Sequence, residues 1–154
     1  MQIFISMMGK KPNVNRIFQT LIKAMHKGVE FNRCVIAMQD ANHQQLEARY
    51  AMGQKNLLQN FEMPVYKQGG PKDIFSWVYK HKAQKLMSPQ DDDLRYAPLK
   101  RFLKVGGCWV CPILYSDKII AVFYGDLEGA EISEKQCDDA TMLIMQAEQI
   151  LKFL

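Results

Sequence analysis

The sequence predicts an α+β fold on a central antiparallel β-sheet of about five to six strands. Three observations carry this: two hairpin signals far apart in the chain, an amphipathic helical pattern near each end, and a looser middle with short helical and strand patterns. Paired hairpins flanked by helices indicate a sheet covered by helices, not alternating parallel units.

The elements follow in order. Residues 1–12, "MQIFISMMGKKP", read as a helical lead-in or linker stopped by Pro12, and residues 13–154 as a single domain. An apolar lead-in of this kind hints at a chain cut from a longer one or covered by a partner. From Asn13, a suitable N-cap, Val14, Ile17, Phe18, Leu21, Ile22 and Met25 recur at helical spacing, and Gly28 suits a left-handed cap. "RCVIAMQ" (33–39) and "QLEARYA" (45–51) flank the turn residues "DANHQ", giving a hairpin. In its second strand Leu46, Ala48 and Tyr50 alternate with Gln45, Glu47 and Arg49, so one face is expected to be wet.

The middle holds a short strand in "FEMPVY" (61–66), a turn at Gly69, Gly70 and Pro71, and a helix opened by Asp73 that buries Ile74, Trp77 and Val78. "QKLM" (84–87) reads as another strand, "SPQDDD" as a polar loop, and "LRYAPLKRFLK" as a helix with Gly106 or Gly107 just beyond it. "CWVCPILYSDKIIAVFYGDLE" is the strongest strand signal, two apolar runs joined by a tight loop at Ser116 and Asp117. Ser133 and Gln136 form a capping box for a final helix running to Leu154. Its stripe of Ala140, Leu143, Ile144, Ala147, Ile150, Leu151 and Leu154 is widened by Met142 and Met145, an arc broad enough for two packing partners.

Composition narrows the function classes. At 154 residues and 48% hydrophobic, the chain can bury a substantial core without disulfides. Its 20 basic and 16 acidic residues are interspersed, so the net charge of +4 forms no stripe that could follow a phosphate backbone, and nucleic-acid binding is not expected. No apolar run approaches the ~20 residues that cross a bilayer, and no signal peptide is recognisable. Four cysteines are too few for a disulfide scaffold, so a cytoplasmic protein with reduced thiols is expected.

The front segment "NVNRIFQTLIKAMHKGVEFNRCVIAMQD", with "CWVCPILYSDKIIAVFYGDLE" before a closing helix, resembles the GAF domain family. The likeness runs from about Asn13 to Leu154; its local marks are Pro112 and Ile113 ending a strand, a short turn, and the second strand "IIAVFYGD". The front helix and first hairpin look like the GAF domain found behind HDOD domains in bacterial signalling proteins. The resemblance implies a PAS-like sheet with the N- and C-terminal helices on one face and short helices and loops over a small-molecule pocket on the other. It implies a regulatory, sensory role and dimerisation through the terminal helices. Family ligands include cyclic nucleotides, tetrapyrroles, haem and amino acids, but no cofactor is indicated for this chain. The cyclic-nucleotide signature N-K-x-x-x-x-F-x-x-x-D-E is not found, and the cysteines do not match those of GAF-like methionine sulfoxide reductases.

Cys108 and Cys111 form the sharpest chemical candidate. In a strand, residues three apart point to opposite faces with Cα atoms about 10 Å apart, beyond the roughly 7 Å limit for a disulfide. Zinc would need further ligands, and His26, His43 and His81 are scattered. Redox pairs sit at helix starts, whereas these flanks are strand formers. Both cysteines therefore read as core residues. Asp91, Asp92 and Asp93 lack further oxygen ligands at fixed spacing and read as a helix cap. No catalytic residue or metal ligand is assigned, and the chain reads as non-enzymatic.

The candidate ligand pocket is lined by Phe61, Phe75, Trp77, Leu86, Tyr96, Leu99, Phe102 and Cys108, with Arg101 and Lys104 able to meet an anionic ligand. The competing reading is that these side chains simply fill a core. Ile17, Leu21, Met142, Met145 and Gln149 are the candidate homodimer contacts. An unidentified small molecule, a second copy and further domains of a longer chain are the expected partners. The alternative is a GAF-like dimerisation or protein-interaction module with a degenerate pocket.

Overall fold

A computed structural model describes residues 13–42, 45–64, 73–88, 90–91, 94, 97–103 and 107–154. The expected lead-in (1–12), the turn at Gly69 to Pro71, and Asp92 and Asp93 lie outside the described residues, as do Tyr96, Lys104 and Gly106.

Asn13 caps α1 (Val14–Lys23) as expected, its side chain accepting from the Arg16 N–H. The chain then widens into a π-helical turn, Ala24–Gly28, closed by Val29 N donating to Ala24 O. Gly28 is not left-handed, contrary to expectation. Because the π turn carries the helix through Gly28, the reversal falls later, on Glu30 (φ 70°).

The first hairpin pairs β1 (Arg33–Gln39) with β2 (Gln45–Met52). A bulge opposite Ile36 and Ala37 breaks the alternation expected along β2. Leu46 and Ala48 keep one face, but Tyr50 turns to the other, meeting Phe18 edge-on at 5.7 Å and donating to Asn15 Oδ1. The middle contributes α2 (Leu57–Asn60), β3 (Glu62–Pro64), α3 (Ile74–His81), β4 (Lys85–Met87) and α4 (Ala97–Leu103). β5 (Cys108–Tyr115) and β6 (Lys118–Asp126) form the second hairpin; Ser116 and Asp117 both take positive φ, as a tight two-residue loop requires. Ser133 and Gln136 make the full capping box of α5 (Glu134–Leu151), which stops short of Leu154.

The six strands run β3-β2-β1-β6-β5-β4, each neighbour antiparallel. β1 joins the two hairpins by pairing with β6, from Arg33 opposite Asp126 to Ala37 opposite Val122. Pro112 lies beyond the three β5 residues that β4 covers, where a missing N–H leaves no ladder position unfilled on that side.

Two apolar layers form, one per face. The terminal helices bury Ile17, Phe18, Leu21, Ile144, Ala147 and Leu151 against Cys34, Ile36, Trp109, Ile113 and Phe123. Gly125 makes room there: a Cβ would sit 2.9 Å from the Phe31 and Phe123 rings. α3 and α4 cover the other face, burying Ile74, Phe75, Val78 and Leu99 against Val35, Ala37, Val110, Val122 and Tyr124. Trp77, expected to be buried, is half-buried at the margin, and Phe75 takes the central place.

Asp73 is buried at the start of α3, accepting from Ser76 N (2.9 Å) and Ser76 Oγ (2.8 Å). Burial raises its pKa, opposed by hydrogen bonds from Ser76 and the Phe75 backbone. Since the folded pKa exceeds the unfolded one, the ionised form burdens the native state at neutral pH, and that burden is relieved as pH falls through the folded pKa. Asp73→Asn keeps the cap and removes the charge, so urea unfolding is expected to show no loss at neutral pH and no gain on mild acidification. Asp73→Ala is expected to cost about 0.5–2 kcal/mol.

Candidate functional site

The face under α3 and α4 carries most of the residues singled out by the sequence. Phe61, Phe75, Leu99 and Cys108 are buried together there, with Phe102 half-buried beside them. They join into an aromatic cluster. Phe61 meets Phe75, Phe102 and Tyr124 at centroid distances of 5.8, 5.2 and 5.4 Å, the first two edge-to-face, and Phe102 meets Tyr124 at 5.4 Å. Three of the other candidates stand apart. Arg101 is exposed on α4. Trp77 packs at the margin, its ring 4.4 Å from that of His81 and 5.0 Å below the Lys85 ammonium. Leu86 is not on this face: β4 places it opposite Trp109, on the terminal-helix side, where it is 43% exposed. A three-residue edge strand gives too short an alternation to fix its facing from sequence.

The polar centre of this face was not anticipated. Arg33 begins β1 and Asp126 ends β6, and antiparallel pairing sets them directly opposite. Arg33 Nη2 donates to Asp126 Oδ2 at 2.7 Å and Nε donates to both carboxylate oxygens at 3.1 Å, a bidentate pair 7% and 0% exposed. Asp126 also accepts from Tyr124 Oη (2.6 Å) and Glu128 N (3.0 Å). The other edge of the guanidinium, Nη1, donates to Gln54 Oε1 and Phe102 O, each at 3.2 Å, and the Phe102 ring lies 4.4 Å from its carbon. Arg33 thus also serves a carbonyl in the last turn of α4.

Burial alone would lower the Arg33 pKa, but the hydrogen bonds and charge of Asp126 outweigh it and hold the guanidinium above its ordinary value. Burial, reinforced by Cys108 and Asp126, pushes the Tyr124 phenol well up, so it stays a donor. The sequence did hold a signal: a cation opening one apolar strand and a carboxylate closing another are costly unless strand pairing brings them together.

Cys108 and Cys111 point to opposite faces, the first under α3 and α4 and the second toward the terminal helices, as the parity of a strand demands. None of the four cysteines is in a disulfide. Among the described residues no three His, Cys, Asp or Glu come together as a metal site would need, and no helix is long and apolar enough to cross a membrane. Burial, with a contribution from Glu148, pushes the Cys111 thiol up to about 12, and burial raises Cys34 further. Cys137 is half-buried on α5. A thiol reagent is therefore expected to modify about one cysteine per native chain, Cys137, and all four once unfolded. A Cys108–Cys111 disulfide formed under mild oxidation would contradict the opposed geometry.

Of the expected dimer contacts, Ile17 and Leu21 are corrected: both are fully buried in the domain's own core, since the α1 stripe is consumed by the sheet and α5. Met142 and Met145 are 54% and 55% exposed, and Gln149 is exposed beside them.

No protein-family model matches the sequence, and no curated protein does. Solved structures do match. A segment of a methyl-accepting chemotaxis protein superposes with a TM-score of 0.73 at 19% identity, covering 96% of this chain and 94% of its own. The GAF domain/HD domain protein from Geobacter sulfurreducens gives 0.72 at 11% identity, covering 92% and 93%. The GAF domain of an Acinetobacter phosphoenolpyruvate-protein phosphotransferase gives 0.67 at 11%, covering 99% and 89%. The fold is that of a GAF domain. At these identities the likeness is one of architecture, so the GAF fold is shared while the side chains at its centre must be argued from this chain alone.

Proposed function

We propose that this chain is a regulatory, sensory GAF-like domain of a bacterial signal-transduction protein, binding a small molecule on the face covered by α3 and α4. The observation that carries this reading is the unequal chemistry of the two sheet faces. The terminal helices bury Thr20 and Gln146 but no charged residue among the described ones, whereas the other face places a buried cation, carboxylate and phenol beneath a cluster of aromatic rings. Buried polar groups are costly, and a fold that keeps them at one end of an aromatic layer has the ingredients of a recognition site. The fold's occurrence in a chemotaxis protein and a phosphotransferase supports the regulatory role.

β6 ends at Asp126 and leads through a short turn into α5, so a change at Arg33 and Asp126 has a direct covalent route to the last helix. We take that helix, through Met142, Met145 and Gln149, to be the homodimer contact, with output domains attached in a longer cytoplasmic chain. The role is recognition, without catalysis.

The test is calorimetric titration and thermal shift with nucleotides, tetrapyrroles and amino acids, joined to mass spectrometry of material released from natively purified protein. One ligand class is expected to bind and to raise the melting temperature. No binding and no released compound, from a protein that sediments as a dimer, would leave the interaction module with a degenerate pocket. A strict monomer at high concentration would remove the α5 contact.

A further inference from the structure

Resting on the reading of this face as a ligand site, we infer that Phe102 is an internal stand-in for the ligand, and that the ligand is an uncharged planar aromatic molecule bearing a carbonyl-type acceptor, recognised by Arg33. Phe102 offers Arg33 two things at once. Its backbone carbonyl accepts from Nη1 at 3.2 Å, and its ring lies 4.4 Å from the guanidinium carbon. Phe61 and Tyr124 meet the same ring at 86° and 73°, so three neighbours define a slot for a flat group.

Phe102 is also the member of the cluster most easily exchanged. Phe61 and Tyr124 are fully buried, whereas Phe102 is half-buried and carried by a seven-residue helix, too short to hold itself without its contacts. The two edges of the guanidinium differ in the same sense. Asp126 holds one edge at 2.7 Å, while Nη1 is held at 3.2 Å by neutral oxygens of Gln54 and Phe102.

The charge of the ligand follows from this pairing. Arg33 is already neutralised by Asp126, and Tyr124 donates to the same carboxylate, so the buried group carries no net charge. An anion at Nη1 would add a second negative charge to a guanidinium already paired with Asp126, and a cation would sit beside the guanidinium's own positive charge. A neutral acceptor replaces Phe102 O with no change in charge. Flatness follows from the ring slot and from the face of the guanidinium.

Phe102→Ala opens the slot, and benzamide, benzoate and toluene probe it by calorimetry or NMR titration. Benzamide is expected to bind at least about tenfold tighter than either of the others, because its carbonyl takes over the charged Nη1 donor from the backbone carbonyl of residue 102, which the lost ring no longer holds in place. That margin is expected to vanish when Arg33→Met and Asp126→Asn are added together. Benzoate binding best, toluene binding as well as benzamide, a margin that survives the loss of Arg33, or a folded variant that binds none of the three would each overturn the inference. Phe102→Val, with a smaller opening, is read in the same way should Phe102→Ala not fold. The outcomes separate from those for the sensory role. An unmodified domain that binds an anionic ligand, or one away from Arg33, defeats this inference and leaves the sensor. Benzamide selectivity in a domain whose unmodified form binds nothing defeats the sensor and leaves the slot chemistry.

Discussion

Asp126→Ala is expected to destabilise the domain by about 3–5 kcal/mol, the largest loss expected from a single surface-remote polar change. The physical reason is what the substitution leaves behind. Arg33 would stay buried with three of its hydrogen bonds to the carboxylate gone, and the Tyr124 hydroxyl and Glu128 N–H would lose their acceptor. Arg33→Met alone is expected to fall in the same range, because it strands the carboxylate. The double variant Arg33→Met/Asp126→Asn buries no net charge and keeps one of the two oxygens that Tyr124 and Glu128 donate to, so it is expected to recover part of the loss. Urea unfolding of the set gives the coupling between the two positions. Additive losses would mean that the pair does not act as one unit.

Phe61→Ala is expected to cost about 3–5 kcal/mol, since it empties the centre of the aromatic cluster. No other ring on this face meets three described partners as closely, and Phe61 is fully buried. Phe61→Leu keeps most of the volume and loses the edge-to-face contacts, so a smaller loss is expected. Thermal unfolding monitored by circular dichroism measures both. A loss below about 1 kcal/mol for the alanine would mean that the rings collapse into the void without resistance.

The parts of the fold that local chemistry controls were readable in the sequence. Asn13, Ser133 with Gln136, and the pair Ser116 and Asp117 mark their helix starts and turn through contacts within a few residues, and all three are found. The opposed facing of Cys108 and Cys111 needed only the period of a strand. What was missed depends on contacts far apart in sequence. Arg33 and Asp126 are 93 positions apart, and only the β1–β6 register makes them partners. Tyr50 changes face because of a bulge set by cross-strand pairing, and Ile17 and Leu21 look available until the sheet and last helix claim them. Within the candidate site the apolar members Phe61, Phe75, Leu99, Phe102 and Cys108 were identified from composition. The charged centre they cover was not, because a charge at a strand end normally reads as solvent-facing.

The strands at the two rims of the sheet are each three residues long, and Pro64 closes one of them. Little unpaired backbone on those two strands is therefore offered to a neighbouring molecule, and proline denies it one donor more. Strand-by-strand growth into fibrous aggregates from these two short strands is disfavoured.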